Sequence, residues 1–167
     1  MKHNLRQDHM RFLKTPTVAD LPLGEYFPHR FSINRLGSIA TIEPDPKTGA
    51  VLFFMSTTCK DCNFEAIEAY CERFQYKTYL FVDGEQSFID ELREKYTPFF
   101  IERADISTLH AEINIEVVPW VYALNSVGQI VSGGIFNCID RLCVKIDPLI
   151  KVFDTGAIAN DVNQSVF

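Results

Sequence analysis

Apolar and polar positions change period several times along this chain, and each change marks an element. Val51 to Met55 reads Val-Leu-Phe-Phe-Met. The run is too short for a helix and apolar on both faces, which predicts a strand buried inside a sheet. A short polar turn follows, carrying Cys59 and Cys62. Phe64, Ile67, Cys71 and Phe74 then recur at helical spacing, predicting an amphipathic helix with Cys71 on its apolar stripe. A cysteine buried there behaves as a small hydrophobe and is expected to be inert.

Tyr76 to Val82 predicts a second apolar strand. Asp83 is placed to cap the next helix, with Gln86 reaching back to complete a capping box. Phe88, Ile89, Leu92 and Tyr96 give that helix a buried side, and Thr97-Pro98 stops it. Phe99 to Ile101 is a short extended segment. Asp105 to Ile113 makes a further helix, with Ser107 a candidate cap. Val117 to Leu124 is apolar, with Pro119 opening a strand, a position where the missing N–H is tolerated. Asn125 to Gly128 turns the chain into a returning strand from Gln129 to Val131, ahead of Gly133-Gly134. Asn137 is a candidate cap for a last helix whose Ile139, Leu142, Cys143, Ile146, Leu149 and Ile150 face inward, with Pro148 expected to kink or restart it.

Upstream of the central strand the pattern is weaker. Ser38 to Ile42 alternates and predicts a first strand. Glu43 to Gly49 holds two prolines and a glycine, a turn composition that makes the two strands a hairpin or a neighbouring pair. Residues 1–30, punctuated by Pro16, Pro22, Gly24 and Pro28, are expected to form an extended arm packed across the domain surface. Residues 31–153 form the domain, and 154–167, which show no period, a fraying tail.

The chain of 167 residues is long enough to bury a core as one domain without disulfide staples. Its formal net charge of −6 and the lack of a basic stripe argue against a nucleic-acid partner. Five cysteines are too few for a disulfide scaffold, and an odd number leaves one outside any intramolecular pair. No window of eighteen apolar residues predicts a membrane span. The basic start lacks the apolar segment of a signal peptide. As given, the chain is expected to be cytoplasmic, or extracytoplasmic if an N-terminal anchor has been removed.

The chemistry concentrates at Cys59 and Cys62. They sit where a buried strand hands over to a helix, and unpaired N–H groups at a helix start stabilise a thiolate. With Cys59 at that start, one sulfur can ionise and attack while its neighbour closes a disulfide behind it. Cys59 is therefore expected to have a depressed pKa and to be the more exposed sulfur. Lys60 favours the thiolate and Asp61 opposes it, so the two partly cancel.

A zinc site is the alternative for such a pair, but it needs two more ligands. Cys138 and Cys143 lack the usual close spacing. Copper would want a flanking histidine, and none flanks the motif. No metal and no cofactor are expected. Cys143 reads as core, whereas Cys138, at a helix start, is a candidate second reactive thiol.

Cys59-Lys60-Asp61-Cys62 after a buried strand, with Val118-Pro119 about sixty residues later, resembles the thioredoxin superfamily. The lead-in before the domain resembles its TlpA-like branch. That resemblance implies an α/β thioredoxin-like fold, a central mixed β-sheet flanked by helices on both faces. It implies a thiol–disulfide oxidoreductase with Cys59 as nucleophile, Cys62 as resolving cysteine, Pro119 as a cis-proline beside them and Val118 as the residue whose backbone docks a substrate peptide. Thr58 and Trp120 would complete the binding surface, although an aromatic opening a strand is also read as core. The implied partners are a protein substrate with cysteines or a disulfide, and an electron-donor or acceptor protein. Two positions depart from the family: Thr58 replaces the usual tryptophan, and Phe53 replaces a buried acid that would help deprotonate the resolving thiol. A peroxidase-like alternative is weakened because its threonine is Ser56 here and its proline Leu52. The competing class is a non-catalytic binding module of the same fold, with structural or metal-bound cysteines.

Overall fold

The computed structural model describes residues 21–161, with side chains given through residue 152. The expected arm up to residue 20, and residues 162–167 of the expected tail, lie outside the described residues. In chain order the elements are β1 (Arg30–Ser32), β2 (Ile39–Thr41), β3 (Ala50–Ser56), α1 (Phe64–Arg73), β4 (Lys77–Asp83), α2 (Gln86–Lys95), β5 (Phe100–Arg103), α3 (Ile106–Ile113), β6 (Trp120–Leu124), β7 (Ile130–Ile135) and α4 (Ile139–Asp161).

β3 is the middle of the molecule because every one of its side chains is apolar or small and none of them meets water. The central sheet has the order β5-β4-β3-β6-β7. β4 runs parallel to β3 and β5, whereas β6 is antiparallel to both β3 and β7. Successive residues of β3 feed two cores. Leu52 and Phe54 pack on one face with Phe81, Tyr122 and, from α3, Leu109 and Ile113. Val51, Phe53 and Met55 pack on the other with Ile67 and Tyr70 of α1, Ile89 and Leu92 of α2, and Leu142 and Ile146 of α4. Each fully buried large side chain is worth about 1.5–3 kcal/mol of apolar transfer. The expected architecture, a mixed sheet with helices on both faces, is the one observed.

Several local expectations are corrected. β2 pairs with β1, Phe31 opposite Ala40, in a separate two-stranded sheet, and does not form a hairpin with β3. The intervening turn explains this. Asp45 Oδ1 accepts the Lys47 and Thr48 amides at 2.8 and 2.9 Å, and those bonds hold its carboxyl below the usual range. Gly49 then follows at φ +79°, where a Cβ would run into Leu124 O. The chain is thereby delivered against β6.

Asp83 does not cap α2. Its Oδ2 accepts the Ile106 amide at 3.1 Å, serving the start of α3. Glu85 takes the cap position of α2 without a side-chain cap bond, and Gln86 donates forward to Asp90. Nor does Ser107 cap α3: Asp105 holds the cap position. Pro148 neither ends nor restarts α4, which runs from Ile139 to Asp161 with the proline inside it and so covers 154–161 of the expected tail. Ile146 and Leu149, both buried on either side of the proline, hold that turn against the sheet.

The described part of the arm lies along the edge of the domain. Gly24 donates to Ile130 O, Phe27 donates to Gly128 O, and Ile130 donates back to Glu25 O, at 2.8–2.9 Å, while Phe27 is buried in the core. Among the described residues no helix is long and apolar enough to cross a membrane.

Candidate active site

The site forms at the carboxyl end of β3, where the chain leaves the sheet. Ser56, the last residue of the strand, is buried and holds the turn from both of its polar groups. Its Oγ accepts the Thr58 amide at 3.2 Å and lies 3.0 Å from Thr58 Oγ1. Its own amide donates to Cys62 Sγ at 3.3 Å. A tight turn closes between the cysteines, the Cys62 amide reaching Cys59 O at 3.4 Å, with Lys60 and Asp61 exposed at its tip. Thr58 is exposed, while Cys59 and Cys62 are both half-buried, so burial class alone does not make Cys59 the more open sulfur.

Neither cysteine lies in the first turn of α1, contrary to the expectation. The cap is Asn63, whose Oδ1 accepts the Glu65 amide at 2.9 Å, and the helix begins at Phe64. An asparagine with an acceptor oxygen takes the helix start in preference to a cysteine, whose sulfur is a weak acceptor. Asn63 also donates through Nδ2 to Asn137 O at 3.1 Å. That bond ties the end of the cysteine turn to the segment leading into α4. The expected cap on α4 is displaced by one residue: Cys138 O, not Asn137, lies opposite the Leu142 amide at 3.0 Å.

Across the turn stands the segment before β6. The Val118–Pro119 peptide is cis. Cys59 Sγ donates to Val118 O at 3.3 Å. Val118 is half-buried against the core, and Pro119 is buried. The structure therefore brings Cys59, Cys62, Val118 and Pro119 into one cluster. Trp120 stands apart from it in character. At 6% exposure, with its ring 5.8 Å from that of Tyr122, it fits the core reading of the two left open, and its buried Nε1 has no partner among the described residues.

The two sulfurs differ in their surroundings. Cys62 is pushed up to about 12, first by burial, then by its hydrogen bond with Cys59 and by the nearby charges of Cys59 and Asp61; the Ser56 amide pulls the other way but does not prevail. At neutral pH it is a thiol. None of the five cysteines is joined in a disulfide. Cys71, expected in the core, is only half-buried on α1, and burial is the first cause that raises it to about 11. Among the described residues no group of three or more His, Cys, Asp and Glu could hold a metal ion.

Sequence reasoning missed Asn63 and the amide of Ser56. The signal for Asn63 was present, a capping residue immediately before the helical pattern; the Ser56 contact has no sequence signature, because a backbone amide carries none.

With this geometry in view, comparison with known proteins is informative at the level of fold. No family model and no curated protein matches the chain. Among solved structures, a proposed thiol:disulfide interchange protein DsbE from Chlorobium tepidum superposes with a TM-score of 0.54 at 12% identity, over 80% of this chain and 98% of that one. The C-terminal domain of a proposed thiol-disulfide oxidoreductase from Bacteroides thetaiotaomicron gives 0.52 at 20% identity, over 78% and 97%. An uncharacterized thioredoxin-like protein from Porphyromonas gingivalis gives 0.52 at 15%, over 78% and 95%. The chain has the thioredoxin-like fold. The resemblance read from Cys59-Lys60-Asp61-Cys62 and Val118-Pro119 thus holds at that level.

Proposed function

We propose that this protein is a thiol–disulfide oxidoreductase that exchanges a Cys59–Cys62 disulfide or dithiol with cysteines of a protein substrate. The observation that carries the reading is the approach of Cys59 Sγ to within 3.3 Å of Val118 O, next to the buried Pro119. It puts a sulfur beside a backbone carbonyl that an extended peptide can pair with. The neighbours described as thiol-disulfide proteins support the same reading through the shared fold.

In the reducing direction the Cys59 thiolate attacks one sulfur of the substrate disulfide. A mixed disulfide forms and the other substrate sulfur leaves as a thiolate, which takes up a proton. Cys62 then gives up its proton, attacks Cys59 Sγ, and releases the second substrate thiolate. The substrate has gained two electrons, and the protein holds a Cys59–Cys62 disulfide that an electron-donor protein must reduce. Run backwards, the same steps oxidise a dithiol. The high proton affinity of Cys62 keeps it from competing as the first nucleophile and fits it to the second step. No acidic side chain stands at Phe53 to take its proton, so water or another carboxylate must serve as base. Thr58, exposed beside the pair, and the backbone of Val118 next to Pro119 would meet the substrate, while Lys60 and Asp61, exposed at the tip of the turn, would modulate the pair.

Insulin reduction driven by dithiothreitol tests the reading. Wild type should accelerate precipitation and Cys59→Ser should not; equal rates would leave the non-catalytic binding module. The reduction potential of the pair then decides direction, a value near about −270 mV marking a reductase and one near about −120 mV an oxidase.

A further inference from the structure

On the flank of the cysteine turn away from Val118, a cleft of about 360 Å³ opens between α1 and α2, lined by Ser56, Thr57, Cys62, Phe64, Glu85 and Phe88. Its volume is at the lower end of the range for ligand sites. Two of its walls are aromatic. Phe64 and Phe88 meet edge to face with ring centroids 5.2 Å apart, and both remain half-exposed although they pack against the core.

One wall of the cleft is anchored. Thr57 is held to the end of β4 by its amide and Oγ1, both donating to Asp83 O at 2.9 and 3.3 Å. Gly84 makes that approach possible, since a Cβ there would lie 2.7 Å from Thr57 Cγ2. At the mouth stands Glu85, exposed, at the cap position of α2 yet making no cap bond, and in no ion pair among the described residues. The exposed charges at the tip of the cysteine turn, Lys60 and Asp61, are of opposite sign and partly cancel, so Glu85 is the charge that marks the cleft.

We infer that this cleft is a specificity subsite for a lysine or arginine side chain of the polypeptide substrate, close in sequence to its reacting cysteine. The inference rests on the exchange reaction proposed above. Such a side chain combines an apolar stem with a cationic head. The stem would lie along the Phe64 and Phe88 rings, where a cation is also attracted by the ring faces. The head would meet the unpaired Glu85 carboxylate. A neutral apolar side chain would use the walls and leave Glu85 unanswered, and an acidic one would be repelled by Glu85. The cleft touches the resolving sulfur, so a substrate seated there is held over the reacting pair.

The test uses three disulfide-bonded peptides whose cysteine is flanked on both sides by arginine, alanine or glutamate, with hydroxyethyl disulfide as a substrate that has no side chains. Wild type should reduce them in the order arginine, alanine, glutamate, with kcat/KM differing roughly fivefold or more between the extremes at low salt, and the spread should shrink in 1 M salt. Glu85→Lys should invert the order. Phe88→Ala should narrow it. Both variants should reduce hydroxyethyl disulfide as wild type does. Exchange with hydroxyethyl disulfide but equal rates on the three peptides, or an order unchanged in Glu85→Lys, overturns the subsite and leaves the exchange reaction standing. No exchange with any of the four disulfides overturns the exchange reaction and the subsite with it.

Discussion

Cys59 and Val118 are 59 residues apart in the chain and 3.3 Å apart in space, joined by a hydrogen bond from the thiol to the backbone carbonyl. Losing the thiol proton removes that bond and sets a negative sulfur beside the carbonyl oxygen. The carbonyl is then open to another donor, such as the backbone N–H of a bound peptide. The contact thus links ionisation of the sulfur to the availability of the surface that would hold its target.

If Cys59 attacks and Cys62 resolves, removing the second step should trap the first. Cys62→Ser incubated with oxidised insulin should accumulate a covalent adduct on a non-reducing gel that dithiothreitol dissolves. Cys59→Ser should yield none. Adducts in equal amount from both variants would reverse or erase the assignment of roles.

The pKa of Cys62 makes a separate prediction. In Cys59→Ser the contributions of Cys59 disappear but burial, the largest cause, remains. Alkylation of Cys62 by iodoacetamide, followed by peptide mass, should therefore be slow at pH 7 and still rising about tenfold per pH unit at pH 9. A plateau below pH 9 would contradict it. The sign for stability follows from proton binding: the folded protein holds the Cys62 proton more tightly than the unfolded chain, whose thiol titrates near 9.0. The contribution of Cys62 is complete below pH 9 and is lost as pH rises from there toward about 12.

Asn63 has two bonds to lose, the cap on α1 and the tie to Asn137 O. Asn63→Ala should cost about 1 kcal/mol for the cap and lower Tm by roughly 2–4 °C in a protein of this size. Asn63→Asp keeps the acceptor and loses the Nδ2 donor. It should recover most of the thermal stability, and a differential scan on the three proteins separates the two roles.

Phe53 is wholly buried, with ring contacts to Tyr70 at 5.0 Å and Phe136 at 5.6 Å. Phe53→Ala should cost about 3–5 kcal/mol in urea unfolding. Phe53→Leu should cost less, and neither should alter the reduction potential of the pair, because an apolar residue there carries no charge to the sulfurs.

The sequence alone determined the layered sheet and the place of the candidate cysteine pair. A strand apolar on both faces can only be central, and the helical stripes of Ile67, Ile89, Leu92, Leu142 and Ile146 have to cover it, so local composition carries that information. Cys59 and Cys62 are legible because four consecutive residues hold both. Tertiary structure decided the rest. β1 offers three residues with a single buried side chain, too little pattern to register, and exists because β2 pairs with it. Asp83 has equal local reason to cap α2; only the proximity of Ile106 turns its carboxylate toward α3. The cleft beside Cys62 unites residues from β3, the cysteine turn, α1, the loop before α2 and α2 itself, and the bond between Cys59 and Val118 ends on a main-chain oxygen. Backbone groups are the same at every position, so which of them meets a given side chain is settled by how the chain folds back on itself.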